Sequence, residues 1–350
     1  MSCWCALGNV NHLDQPAVLQ CPDLSLRAIY SRSQKSAQAV SSDLKDSVDL
    51  YSDDTSSTYG SLLSRSDIHA VIIALPIHVQ SSFIKAALSA GKHVLAEKPL
   101  APDVAAGKEL VDWYHANIST STINFSTAEQ FRYYAAYNHA AKQISTLGEV
   151  LGVKVRMHTC IQPGMKYIET EWRKKTQHQG GFLLDAGVHF IAGTRMLLQG
   201  GGVKVERVSA FTSLLQEYLP PVDTVDAGLR LSNGSTGTFS VSFGTTFGGA
   251  EWSVACEGGT VSVDRTVVKI KVKGEEEREE DVKDGVEGKE EHVPVGSVIP
   301  EVFAWAGSLK EGKWDARQSV EEGLADLEIL EALLRSGERG GEPVELKYQV

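Results

Sequence analysis

The period of the apolar residues changes once along this chain, near residue 150, and few architectures accommodate both patterns. Before the change, short apolar runs alternate with helical spacing. Residues 24–30 read as a strand and 36–46 as a polar-faced helix. Residues 67–75 form an apolar run of the kind buried on both faces of a parallel sheet, and Pro76 ends it. Residues 80–90 carry apolar side chains at helical spacing, with Gly91 where a helix C-cap belongs. A strand at 93–97, an amphipathic helix at 103–115 and a strand at 122–125 follow. A first strand fits residues 3–7. This alternation is the signature of a doubly wound α/β sheet.

Beyond the change, the period is two. Residues 153–159, 205–212, 226–231, 236–243, 252–256 and 260–272 alternate apolar with polar, and Gly, Asn and Asp separate most of them. Such runs build an antiparallel sheet with one covered face. A helix over 318–334 follows, with Leu324, Leu327, Ile329, Leu330 and Leu333 among its apolar positions. The expected fold class is α/β: a Rossmann-like doubly wound parallel sheet over 1–130, then an α+β domain over 131–350. The second domain carries a large, mostly antiparallel sheet, and its C-terminal segment can return to the first.

Charge narrows the partners. The net charge is −11, and residues 275–291 hold ten acids against three bases. That run reads as a solvated loop or hairpin tip. Elsewhere no basic patch suits nucleic acid. No apolar run approaches the roughly 18–20 residues of a membrane span. Cys3, Cys5, Cys21, Cys160 and Cys256 make no disulfide framework, and no His or Cys cluster completes a zinc site around Cys3 and Cys5. The first twenty residues lack a secretory pattern, and the chain ends Tyr-Gln-Val. The expectation is a cytoplasmic protein with a small-molecule partner, without nucleic acid, membrane or metal.

Two segments carry chemistry. Ala90-Gly-Lys-His-Val-Leu-Ala-Glu-Lys-Pro-Leu100 sets Glu97, Lys98 and Pro99 at the C-terminal end of a parallel strand. Open α/β sheets bind ligands beyond such ends. A lysine there can hydrogen-bond a substrate oxygen and stabilise a developing alkoxide; it can equally be a surface lysine in a turn. Gly180-Gly-Phe-Leu-Leu-Asp-Ala-Gly-Val-His-Phe190 sets Asp185 four residues before His189. On a helix the pair shares one face, with Cβ atoms about 6 Å apart. The imidazole can exchange a proton with a hydroxyl; the alternative is a capped helix with a half-buried histidine. At the second strand's end, Ser31-Arg32-Ser33 replaces the acid that would bind a ribose 2′-hydroxyl. A guanidinium there can pair with a 2′-phosphate, which favours NADP over NAD. An exposed loop arginine is the alternative.

Together these segments resemble the glucose–fructose oxidoreductase and inositol dehydrogenase (Gfo/Idh/MocA) family. Its members carry Glu-Lys-Pro behind a Gly-Lys-His-Val-like stretch, then Gly-Gly-x-x-x-Asp-x-Gly-x-His in the second domain. Ala128-Glu-Gln-Phe-Arg132 matches the segment entering that domain, and Trp172-Arg173 matches a fungal subset. The resemblance runs from about His12 to the C-terminus. It implies an NAD(P)-dependent oxidoreductase that moves a hydride to or from a sugar, polyol or related alcohol or carbonyl compound. It also implies a catalytic set of Lys98, Asp185 and His189. His189 would exchange the hydroxyl proton, Lys98 would hydrogen-bond the oxygen and Asp185 would orient substrate and imidazole. Cofactor contacts are expected from Gly8, Ser31, Arg32, Ser33, Leu75, Pro76, His78, Glu97, Lys98, Trp172 and Arg173. Substrate contacts are expected from Lys98, Phe131, Tyr167, Asp185 and His189. A homo-oligomer, a dimer or larger, is implied as well.

The start departs from the family. Gly8 is the only glycine before Gly60, so the Gly-x-Gly-x-x-Gly turn that lets backbone approach a pyrophosphate is missing. Its abrupt loss, with every later motif intact, favours a start-site or splicing difference over a redesigned turn. It also sustains an alternative function: a binding or regulatory protein on the same fold. Asp185, His189 and Glu97 have the residue types of a metal-dependent hydrolase but not a dense ligand cluster.

Overall fold

The computed structural model describes residues 4–7, 14–42, 44, 47–165, 168–169, 179–286, 293–294 and 296–350, with only the backbone described at 4–7 and 14. The chain forms two compact units. The first takes Met1–Glu129, Val286–Lys289 and Ser297–Gly323; the second takes Gln130–Gly285, Glu290–Gly296 and Leu324–Val350.

In the first unit, strands β1 (Trp4–Leu7), β2 (Leu26–Ser31), β3 (Asp49–Ser52), β4 (Ala70–Ile73), β5 (His93–Glu97) and β6 (Phe125–Ala128) form one sheet. Their order is β3-β2-β1-β4-β5-β6, and every pair is parallel. Helices α1 (Asp14–Gln20), α2 (Gln34–Ser41), α3 (Tyr59–Leu63), α4 (Ile77–Ser89) and α5 (Val104–Asn117) connect the strands. All four residues of β4 are buried, as a strand covered on both faces requires. The order reverses between β1 and β4, the switch point at which such sheets bind ligands.

Two expectations are corrected here. The last strand starts at Phe125, three residues later than the β-branched Thr122-Ile123 suggested. Thr122 and Ile123 instead donate their N–H groups to Ser119 O and close a turn. The polar-faced helix is α2, which begins at Gln34 and ends at Ser41. Ser33 caps it, its hydroxyl accepting from Ser36 N at 3.2 Å.

In the second unit, helix α6 (Ala135–Ile144) precedes β7 (Val150–Cys160), and α7 (Gly181–Gly200) precedes β8 (Val205–Ser213). Strands β9 (Thr224–Leu231), β10 (Thr236–Ser242), β11 (Gly244–Cys256), β12 (Gly259–Asp264), β13 (Val267–Val272) and β14 (Arg278–Asp281) follow. After α8 (Ile299–Glu311, in the first unit) and α9 (Val320–Glu338), β15 (Val344–Glu345) completes the nine-stranded sheet β14-β13-β12-β11-β7-β10-β9-β8-β15. Only the β7–β10 pair is parallel. The single run expected over 260–272 is a hairpin: β12 and β13 pair antiparallel, and Arg265 turns the chain at φ 55°.

Helices α6 and α7 cover one face of this sheet. Trp252, 2% exposed, donates its indole N–H to Thr194 Oγ1 of α7 at 3.2 Å. Helix α7 has the length and apolar composition of a membrane span, contrary to the reading that no run approaches one; 78% of that stretch is buried inside the protein. Beneath it lies a buried ionic group. Arg132 Nη2 donates to both carboxylate oxygens of Asp326, at 2.7 and 2.6 Å, and Arg195 Nη1 donates to Oδ1 at 2.7 Å. All three side chains are at most 4% exposed.

The acidic run is less uniform than a solvated tip. Arg278–Asp281 is a strand at the sheet margin, while Asp284 is buried and accepts from Ala135 N at 2.8 Å. Burial pushes its carboxyl above the ordinary range. Residues 287–291 of the run lie outside the described residues.

Candidate active-site residues

In the first unit, the Gly-Lys-His stretch is an anchor. Gly91 follows α4 in the left-handed conformation, φ 73°. Buried Lys92 donates to Arg65 O at 2.7 Å and Ile68 O at 2.8 Å. His93 Nδ1 accepts from Asn124 N at 3.0 Å, and burial lowers the imidazole's basicity. These contacts fix both margins of β5, which delivers Glu97 and a half-buried Lys98 at its C-terminal end. The Lys98–Pro99 peptide is cis. Gln80, on α4, donates its side-chain N–H to Glu97 O at 2.7 Å and Pro99 O at 3.4 Å.

The end of β2 holds buried Ser31, exposed Arg32 and the α2 cap Ser33. No carboxylate occupies these three positions, but two follow β3. Tyr30 donates its hydroxyl to Asp53 Oδ1 at 2.6 Å, and burial together with that carboxylate raises the phenol's pKa. Asp54 accepts from Gln34 N at 2.8 Å; the Ser52 hydroxyl and that N–H hold its carboxyl below the ordinary range. At the end of β4, Leu75 is buried, Pro76 opens α4 and His78 is exposed. An exposed guanidinium can pair with a phosphate group. Gly8, Tyr167, Trp172 and Arg173 lie outside the described residues.

In the second unit, two glycines set the start of α7. Gly180 and Gly181 have φ of 74° and 52°. A Cβ on Gly181 would stand 2.3 Å from Pro220 O, a main-chain atom. One turn in comes Asp185, 5% exposed, and one turn later His189, half-buried. The His189 ring stacks on Phe131, with centroids 5.3 Å apart and planes 18° apart. Phe131 in turn meets Tyr134, Tyr137, Phe190 and Trp252. Phe131, expected as a substrate contact, thus gives one face to the imidazole. Sequence spacing located Asp185 and His189 but not this stack, since Phe131 is distant along the chain.

The glycine pair makes a testable demand. Gly181→Ala is expected to lose about 3 kcal/mol, combining left-handed strain with a backbone clash. Gly91→Ala, whose Cβ meets nothing within 4 Å, loses only about 1 kcal/mol for its φ. Urea denaturation of both variants checks the difference; equal losses would remove the clash from the explanation.

Comparison with known proteins supplies the context. Residues 7–125 match the NAD-binding Rossmann fold of an oxidoreductase family, and 141–346 match that family's C-terminal alpha/beta domain. The chain is 36% identical over 338 residues to Dehydrogenase FPY6 of Fusarium mangiferae, spanning 95% of each protein. It is 27% identical over 235 residues to D-xylose 1-dehydrogenase (NADP(+)) 2 of Haloferax volcanii, spanning 66% of this chain and 65% of that protein. An oxidoreductase of Thermotoga maritima superposes with a TM-score of 0.83 at 25% identity, over 98% of both chains.

Proposed function

The chain belongs to the Gfo/Idh/MocA oxidoreductase family, and on that premise we propose that it is an NADP-dependent enzyme acting on a sugar, polyol or related alcohol or carbonyl compound. One observation carries the reading: Asp185 and His189 stand one turn apart on a helix whose first residue, Gly181, has no room for a Cβ against Pro220 O. A bound nicotinamide supplies the hydride acceptor or donor. His189 exchanges the substrate's hydroxyl proton, and its stack on Phe131 holds the ring plane during the transfer. Asp185 orients the imidazole or a substrate hydroxyl. Lys98 donates a hydrogen bond to a substrate oxygen and stabilises negative charge on it.

The preference for NADP rests on the end of β2. Arg32 is exposed there, while Asp53 and Asp54 are engaged by Tyr30 and Gln34. The name of the Haloferax volcanii relative supports both the cofactor and a sugar substrate. Arg32→Ala is expected to weaken NADPH about tenfold or more, the worth of a charge-assisted hydrogen-bond pair, and to leave NADH unchanged. An unaltered preference would take Arg32 out of the cofactor site.

The missing Gly-x-Gly-x-x-Gly turn favours a second reading, a binding or regulatory protein on this fold. Fluorescence titration with NADPH and NADH, then a panel of polyols and aldoses, separates the two. Binding with turnover supports the enzyme; no binding of either nucleotide at millimolar concentration sinks it.

A further inference from the structure

We infer that Gln80 is a positioning residue for Lys98. The inference rests on the reading of Lys98 as a substrate-binding group, and its test separates the two. Helix α4 buries Ile77, Gln80, Ile84, Ala87 and Leu88 along one face. Four of these five are apolar, and packing alone asks for an apolar residue at the fifth. Gln80 is instead a carboxamide, 1% exposed. A buried carboxamide without partners costs about 1–3 kcal/mol, so its place depends on what it bonds. Its N–H group reaches Glu97 O at 2.7 Å and Pro99 O at 3.4 Å, the carbonyls on either side of Lys98.

The register of the sheet explains why a clamp is needed there. Strand β4 ends at Ile73, whose partner is Ala96, so no β4 residue faces Glu97. On the other side, pairing with β6 stops at Glu97 and Ala128. Just past Glu97 the strand ladder no longer holds the chain, and Gln80 takes over. Two bonds from one rigid amide plane restrict the Lys98 Cα between fixed carbonyls. They thereby restrict the direction its side chain leaves the backbone.

The test uses the full chain with Gln80→Met, which keeps volume and loses the donor, and Gln80→His, which keeps an N–H donor. The first readout is independent of activity. Reductive methylation of Lys98, measured by peptide mass spectrometry against exposed Lys154, rises severalfold in Gln80→Met and stays at the parent rate in Gln80→His. The second is kinetic: Gln80→Met lowers kcat about tenfold to hundredfold, the cost of a small misplacement, and lowers NADPH affinity far less, since the contacts expected from β2 and β4 stay in place. Should Gln80→Met fail to fold, Gln80→Asn, one methylene short of both carbonyls, gives the same reading. An unchanged Lys98 labelling ratio in a folded donor-less variant overturns the inference. So does a parallel fall of melting temperature and kcat at constant labelling, which marks a structural role alone. Raised labelling alongside an inactive parent protein upholds the clamp and refutes the oxidoreductase reading instead.

Discussion

Replacing His189 by Ala lowers turnover by about 10²–10⁴, the usual contribution of a positioned acid–base group, and leaves NADPH binding intact. The separation of the two effects follows from placement. His189 sits in the second unit, on α7, whereas every described residue expected to contact the cofactor belongs to the first. Truncation also removes the partner of the Phe131 ring face, so some loss of stability accompanies it. His189→Gln, which keeps side-chain volume and a hydrogen-bonding end, controls for that loss and should be nearly as inactive. Steady-state kinetics and nucleotide titration of both variants decide the matter. Equal losses of turnover and nucleotide affinity would make His189 a structural residue.

The largest stability effect falls on Asp326. Its carboxylate is 2% exposed and accepts from two buried guanidinium groups. Asp326→Asn keeps the shape but removes the charge, leaving Arg132 and Arg195 buried against a neutral amide. Breaking a buried pair by removing one partner costs about 3–5 kcal/mol, because the uncompensated charge remains out of water. The same amount does not measure what the ionic group adds over an apolar core, which is often near zero. Urea denaturation should show the unfolding free energy fall by that amount, read as a lower midpoint at constant slope, with little sensitivity to salt, since buried charges are weakly screened. A loss under about 1 kcal/mol would mean that water reaches the group.

What the sequence disclosed depended on whether a signal was local. Strands β4 and β5 were legible because burial on both faces leaves a continuous apolar run. The two glycines at the start of α7 were legible because the left-handed region favours glycine and, at Gly181, a Cβ would also meet Pro220 O. The turn at Arg265 was not, because a non-glycine residue in the left-handed region announces nothing. Strand β3 and helix α3 passed unread, being four and five residues long, too short for a period to emerge. Phe131 and Gln80 owe their roles to partners 58 and 17 or more positions away. Buried Asp284 shows the same limit: acids in a charged run read alike, and only the fold selects the one that meets Ala135 N.

The margins of the nine-stranded sheet bear on how this chain behaves in a crowded solution. An open sheet ends in unpaired backbone groups that can template the strand of another molecule, which is how soluble proteins begin to aggregate. Here one margin is β15, only two residues long. The other is β14, in which all four residues, Arg278, Glu279, Glu280 and Asp281, are charged. A second copy adding its own β14 there would bring two net-negative segments together and desolvate four charged side chains on each. The acidity of this segment therefore works as a guard against fibre growth, a task that needs no ligand.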